Sequence, residues 1–165
     1  MDTSPNVTSA GVAETSPVNG PPSGQFRLRY GAKALVTSAS KVLLVQEHHA
    51  DGRPFWTFPG GGVCPGEQPE DGLTRELREE LDCDVRIGSP VTQFWYVHES
   101  LDATVSRYTV FDCALVTDPT PERSEGIAAY EWVSPARLPP GTLPQVQHVC
   151  RQATDLSATA LAADD

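Results

Sequence analysis

Gly61-Gly62-Val63-Cys64-Pro65-Gly66-Glu67, then seven residues, then Arg75-Glu76-Leu77-Arg78-Glu79-Glu80-Leu81-Asp82-Cys83, is the most informative part of this chain. Residues 69–82 contain no β-branched side chain except Thr74, open with Pro69-Glu70-Asp71 and are rich in Glu, Leu and Arg. Proline suits a first helical turn and acids there meet the positive end of the helix dipole, so the composition predicts a helix. At about 100° per residue, Leu73, Leu77 and Leu81 form one apolar stripe, with Glu76, Glu79 and Glu80 grouped beside it.

Carboxylates four residues apart are separated by about 6 Å of helix rise and repel each other unless a cation lies between them. Oxygen donors without His or thiolate partners suit hard ions, Mg²⁺ first and Mn²⁺ second, which complete their shells with water and phosphate oxygens. Such ions polarise a phosphoryl oxygen and lower the pKa of a bound water, so the implied substrate is a polyphosphate or pyrophosphate. The preceding glycines allow bare backbone to approach metal or phosphate. A Glu/Arg-rich helix is ordinarily a solvated face laced with i,i+4 pairs; here the spacing argues otherwise.

Outward from this segment, Trp56-Thr57-Phe58 reads as a short strand entering the glycine loop Pro59-Gly60-Gly61-Gly62. Upstream, Ala32–Thr37 and Lys41–Gln46 are apolar runs separated by Ser38-Ala39-Ser40, which predicts two paired strands. Downstream, Val91–Val97 and Thr104–Val116 predict a hairpin about Leu101-Asp102, Ala129–Val133 a last strand, and Leu143–Thr154 a final helix. Residues 1–24 are Ser, Thr, Pro, Gly, Asn and Ala with almost no large apolar side chain, and are expected to be a disordered tail. The domain is placed at 25–154 and an acidic flexible terminus at 155–165.

The chain has 165 residues and a formal charge of −10. Asp2, Glu14, Asp155, Asp164 and Asp165 carry half of that in the two terminal segments, leaving −5 for residues 25–153. This balance argues against duplex nucleic acid as a partner and requires cations at any site for an anion. Two lysines against ten arginines on an acidic chain also raise the hypothesis of a protein adapted to high salt. No apolar run is long enough to span a membrane and the amino-terminal segment lacks a signal pattern, so a cytoplasmic protein is expected. Cys64, Cys83, Cys113 and Cys150 have no metal or redox spacing and are read as reduced thiols, mostly buried.

The quoted segment resembles the Nudix box, G-x5-E-x7-R-E-U-x-E-E-x-G-U with U aliphatic, and matches it from Gly61 through Glu80. Six fixed identities at this spacing arise by chance about once in ten million starting positions. Asp82 stands where the pattern has glycine and Cys83 where it has an aliphatic residue. Asp tolerates the left-handed helix cap, and Cys packs as a small hydrophobe.

The resemblance implies an α/β/α sandwich with a mixed, curved sheet between helices, covering the chain from about Phe26 to Thr154. It implies a metal-dependent pyrophosphohydrolase using Mg²⁺, or Mn²⁺, on a small nucleotide, and it admits a homodimer. By resemblance Glu76 and Glu80 are the main metal ligands, Glu79 a ligand or its partner, and Gly60 a carbonyl donor. Glu67 and Gly61 support the loop and Arg75 orients the glutamates. A further acid before the last strand serves as ligand or general base; Glu125 is the candidate, with Glu122 and Glu131 as alternatives. In such folds the early strands border the nucleoside, so Arg27, Arg29 and Tyr30, beside Phe26, are candidate substrate contacts. His48 and His49 are read as solvated loop residues, with contact to phosphate or base as the alternative. Trp56, Phe94, Trp95, Tyr96 and Tyr108 are read as core or pocket lining.

The favoured substrate is a nucleoside or deoxynucleoside triphosphate, with a sugar-linked nucleotide such as ADP-ribose second. The SQPWPFPxS-type run of NADH-cleaving relatives is missing after the box. Two other classes compete: a nucleotide sensor that does not cleave, against which the crowded glutamates speak, and a prenyl diphosphate isomerase, for which Cys64 is the sole support.

Overall fold

The computed structural model describes residues 24–98 and 103–163, with side chains of the last helix described as far as Thr154. The expected tail and the turn at Leu101-Asp102 lie outside the described residues. The elements are β1 (Arg27–Ser38), β2 (Lys41–His48), β3 (Pro54–Thr57), β4 (Gly60–Gly62), α1 (Pro69–Leu81), β5 (Val85–Val97), β6 (Thr104–Leu115), β7 (Ala129–Val133) and α2 (Pro144–Ala163). A 3-10 turn, Arg123–Glu125, precedes β7.

The seven strands form an open mixed sheet in the order β3-β2-β1-β6-β5, with β4 beside β1 and β7 beside β2. The β1–β6 pair is parallel, in register from Arg27 opposite Thr104 to Val36 opposite Cys113. The other pairs are antiparallel. Alternation along the strands divides the core between two faces. Ala34, Val36, Leu43, Val45, Phe111 and Cys113 pack with Leu73, Leu77 and Leu81 of α1. Leu35, Val42, Leu44, Tyr108 and Val110 pack with Val146, Val149 and Cys150 of α2. The expected sandwich and the helical apolar stripe are both present.

The ends of elements differ from the expectation in four places. The glycine loop is a three-residue strand paired with β1. β1 begins at Arg27 and β5 at Val85 rather than near Val91, with register shifts between Ile87 and Thr92 around Pro90, which has no N–H to donate. α1, by contrast, ends at Leu81 with Asp82 in the left-handed cap conformation that the sequence implied (φ 46°, ψ 42°), its N–H donating to Arg78 O. α2 runs to Ala163, so helix occupies most of the segment expected to be a flexible terminus. Among the described residues no helix is long and apolar enough to cross a membrane.

Candidate active site

The site is assembled where β4 crosses β1 above α1. Pairing of Gly60, Gly61 and Gly62 with Lys33, Ala32 and Gly31 brings bare backbone against the helix. A Cβ on Gly61 would lie 2.6 Å from the Glu76 carboxylate carbon, so this position holds glycine for lack of space. Gly60 has φ +129°, and a Cβ there would lie 2.2 Å from Ala32 O.

Arg75 gathers the box residues. Its Nε and Nη2 each donate to a Glu67 carboxylate oxygen at 3.0 Å, a bidentate pair. Nη1 donates to Glu76 Oε1 at 3.1 Å and Glu79 Oε2 at 3.2 Å, and Nη2 also donates to Gly62 O at 3.0 Å. Glu67 in turn accepts the Cys64 N–H at 3.0 Å, closing the loop onto the helix. These bonds, the guanidinium of Arg75 first, hold Glu67 down at a pKa of about 2. The hydrogen bonds from Glu67 foremost hold Arg75 above its ordinary value. Glu76 is half-buried, and burial raises its pKa despite Arg75.

Glu80 points the other way, into the protein. It is 7% exposed and accepts the Gly60 N–H at 3.0 Å. Burial pushes its pKa up to about 8, with the charge of Lys33 opposing. Lys33 is itself 5% exposed, donates to Gly60 O at 2.9 Å and stands 5.0 Å from the Tyr108 ring centre. Burial works against its charge, yet the combined fields of Tyr108, Glu47, Glu80 and Glu76 raise its pKa. Gly60 is thus held from both sides, its N–H by an acid and its carbonyl by a lysine.

Two cavities meet at this point, sharing Gly62 and Glu76 in their walls. The larger, about 870 Å³, includes Arg29, Tyr30, Arg107, Gln93, Thr109 and Arg75. Arg107 and Thr109 share the β6 face of Phe111, so it opens on the α1 side of the sheet. The smaller, about 250 Å³, includes Lys33, Glu47, Tyr96, His98 and Tyr108 together with Glu80 of α1. His98 there bonds Ser106 Oγ at 2.6 Å, and burial lowers its pKa.

The sequence-predicted residues divide accordingly. Gly60, Gly61, Glu67, Arg75, Glu76, Glu79 and Glu80 are brought together, with Arg29 and Tyr30 in the larger cavity. Arg27 lies farther along β1 and lines neither cavity. Glu125 sits exposed in the 3-10 turn, which is tied to α1 by the Glu122 N–H donating to Glu80 O, and it also lines neither. Glu131 is exposed on β7. His48 and His49 border the smaller cavity, His49 stacked on Phe55 at 4.3 Å. Phe94, Tyr96 and Tyr108 line it too, while Trp56 packs with the α2-side core and Trp95 lies under Arg107. Lys33, Glu47, His98, Gln93 and Arg107 are site residues that the sequence reading missed. For Lys33 there was a signal, a lone charge inside the apolar run Ala32–Val36.

The three helix glutamates do not converge. Glu79 and Glu76 are drawn to Arg75 while Glu80 turns beneath β4, and among the described residues no three His, Cys, Asp or Glu form a ready cage. The donor chemistry nevertheless fits a hard divalent cation: carboxylate and carbonyl oxygens, and a buried acid whose ionisation a nearby positive charge would favour.

The NUDIX domain model matches residues 27–152. A putative 8-oxo-dGTP diphosphatase of Bacillus subtilis is 28% identical over 134 residues, 78% of this chain and 85% of that protein. An RNA pyrophosphohydrolase of Sulfurovum sp. is 54% identical over 37 residues, 22% of this chain and 24% of its own length. The first relatives are therefore matched over only about a quarter to two-fifths of their length. Among solved structures, the E. coli ORF135 protein superposes with a TM-score of 0.68 at 22% identity, covering 84% of this chain and 97% of that one. The domain match starts at the first residue of β1 and ends inside α2, most of the chain, which therefore belongs to the NUDIX domain family.

Proposed function

We propose that this chain is a divalent-cation-dependent hydrolase that cleaves a pyrophosphate bond in nucleoside diphosphate derivatives. The observation that carries the reading is the junction of two cavities at Gly62 and Glu76, directly over the Arg75 carboxylate network. Glu76, Glu79 and Glu80, with the Gly60 carbonyl, would hold Mg²⁺ or Mn²⁺. When bound, the ion supplies Lewis-acid stabilisation of phosphoryl charge and a more acidic water. Arg75 fixes the rotamers of Glu76 and Glu79, so their oxygens are placed before substrate arrives. Lys33 holds the Gly60 carbonyl and offsets the charge of Glu80. Glu79, the exposed member of the network, accepts the proton of the attacking water, and Glu125 is assigned no step.

Nucleoside triphosphates are the first substrates to try, because relatives carry the names 8-oxo-dGTP diphosphatase and CTP pyrophosphohydrolase. Sugar-linked nucleotides are the second reading, favoured by the size of the basic cavity. The test is a panel with Mg²⁺ of nucleoside triphosphates, an oxidised purine triphosphate, ADP-ribose, NADH and a dinucleoside polyphosphate. Metal-dependent monophosphate release, reduced at least a hundredfold in Glu79→Gln and Glu80→Gln, is expected. Nucleotide binding without any turnover would replace this reading with that of a sensor.

A further inference from the structure

We propose that Lys33 is a built-in competitor of the divalent cation: its ammonium contends with the metal for the carbonyl oxygen of Gly60, so that this one side chain sets how tightly the site holds metal. The inference rests on the cation site of the hydrolase reading and adds a control on its affinity.

A buried charge needs a partner, and the partner of Lys33 is an oxygen that the metal also needs. Lys33 is 5% exposed, lies between the fully buried Ala32 and Ala34 of β1, and donates from Nζ to Gly60 O at 2.9 Å. The β1–β4 register sets the two residues opposite each other. From its other end, Gly60 donates its N–H to Glu80 at 3.0 Å. One glycine thus joins a buried ammonium to a buried acid, and both its carbonyl and that acid belong to the donor set for the cation. Among the described residues that line the smaller cavity, Lys33 is the only Lys or Arg, against Glu47, Glu76 and Glu80. Burial works against its charge, but the fields of Tyr108, Glu47, Glu80 and Glu76 outweigh that effect and keep the ammonium protonated. A hard divalent ion seeks the same surroundings, a carbonyl oxygen among carboxylates. Two cations at one oxygen repel each other, most strongly where water is excluded. A purely supporting role predicts the opposite sign, because a lysine that only steadied the carbonyl for the metal would weaken metal binding when removed.

The test is calorimetric titration of the full chain with Mn²⁺ and with Mg²⁺, without nucleotide, in the wild type, Lys33→Met, Lys33→Arg and Glu80→Gln. Lys33→Met is expected to bind Mn²⁺ about tenfold tighter or more, and Lys33→Arg, which keeps the charge, to stay near the wild type. Without metal, Lys33→Met should melt below the wild type, since the acids lose their counter-ion, and saturating Mg²⁺ should close that gap. Unchanged or weaker metal binding in Lys33→Met overturns the proposal, as does a melting gap that Mg²⁺ leaves intact. Lys33 and the exposed Lys41 are the only lysines, so the wild type supplies a reading that needs no variant to fold. In protein carrying ¹³C-lysine, Mg²⁺ should shift the Cε signal of Lys33 and leave that of Lys41; a Lys33 signal that saturating Mg²⁺ does not move also overturns the proposal. Metal binding that Glu80→Gln abolishes but Lys33→Met does not tighten removes this inference and leaves the hydrolase reading. No metal binding in either the wild type or Lys33→Met removes both.

Discussion

Gly61 and Glu80 show how little freedom single side chains have at this site. An added methyl at Gly61 would meet the Glu76 carboxylate at 2.6 Å, so the end of that side chain has to give way. Gly61→Ala should therefore fold, keep its circular dichroism spectrum and lose turnover by about a hundredfold, because the carboxylate must leave the position Arg75 gives it. Glu80 makes a prediction about pH. Its folded pKa of about 8 exceeds the ordinary 4.5, so the contribution of its bound proton to stability is complete below about 4.5 and is lost as pH rises through 8. Without metal, the melting temperature should fall across that interval, and Glu80→Gln should flatten the decline. Mg²⁺ should restore stability most at the alkaline end, where the carboxylate is charged. A melting temperature that does not respond to pH in the wild type would show that the buried acid does not carry this linkage.

Among the elements, the β1–β2 connection carries avoidable strain. Ser38 pairs with Lys41, so Ala39 and Ser40 form a two-residue turn, and both have positive φ, 49° and 63°. Side chains with a Cβ adopt that region at a cost of about 1–2 kcal/mol, and Asn-Gly is the dipeptide best suited to it. Ala39→Asn with Ser40→Gly should raise unfolding free energy by about 1–2 kcal/mol, read as a higher urea midpoint with an unchanged slope. Helix α1 was legible because every local signal agreed: Pro69, the first-turn acids, the leucine stripe and the capping role of Asp82. β5 was legible only after Pro90, because Gly88 and Pro90 break the alternation that announces a strand, and the structure absorbs them as bulges. The end of α2 was obscured by composition. Its alanines favour helix intrinsically, but the few large apolar residues after Thr154 resembled a tail.

In the whole molecule, the box residues could be found in advance because they lie within twenty residues of one another and their roles depend on local spacing. Lys33, Glu47, Gln93, His98 and Arg107 could not, since they come from β1, β2, β5, the residue just after β5, and β6, and meet only through the sheet. Glu125 shows the same limit in reverse: its position before β7 was legible, but not that the turn would present it to solvent outside both cavities. Net charge acts over the same range. At −10 the chain repels itself, so molar salt should raise its melting temperature. Equal melting at low and molar salt would dismiss the idea of a protein adapted to brine.

The parallel pairing of β1 with β6 also orders events in time. β1 leaves the ribosome well before β6, carrying the apolar run from Ala32 to Val36, and the strand that covers it over ten residue pairs is made only after β5. Until then that run has only the β1–β2 hairpin, the short β4 and the leucine stripe of α1 for company. The nascent chain therefore waits, while the elements between β1 and β6 are made, with one edge of a sticky strand unpaired, a period in which a chaperone or a stray neighbour can reach β1 before its proper partner does.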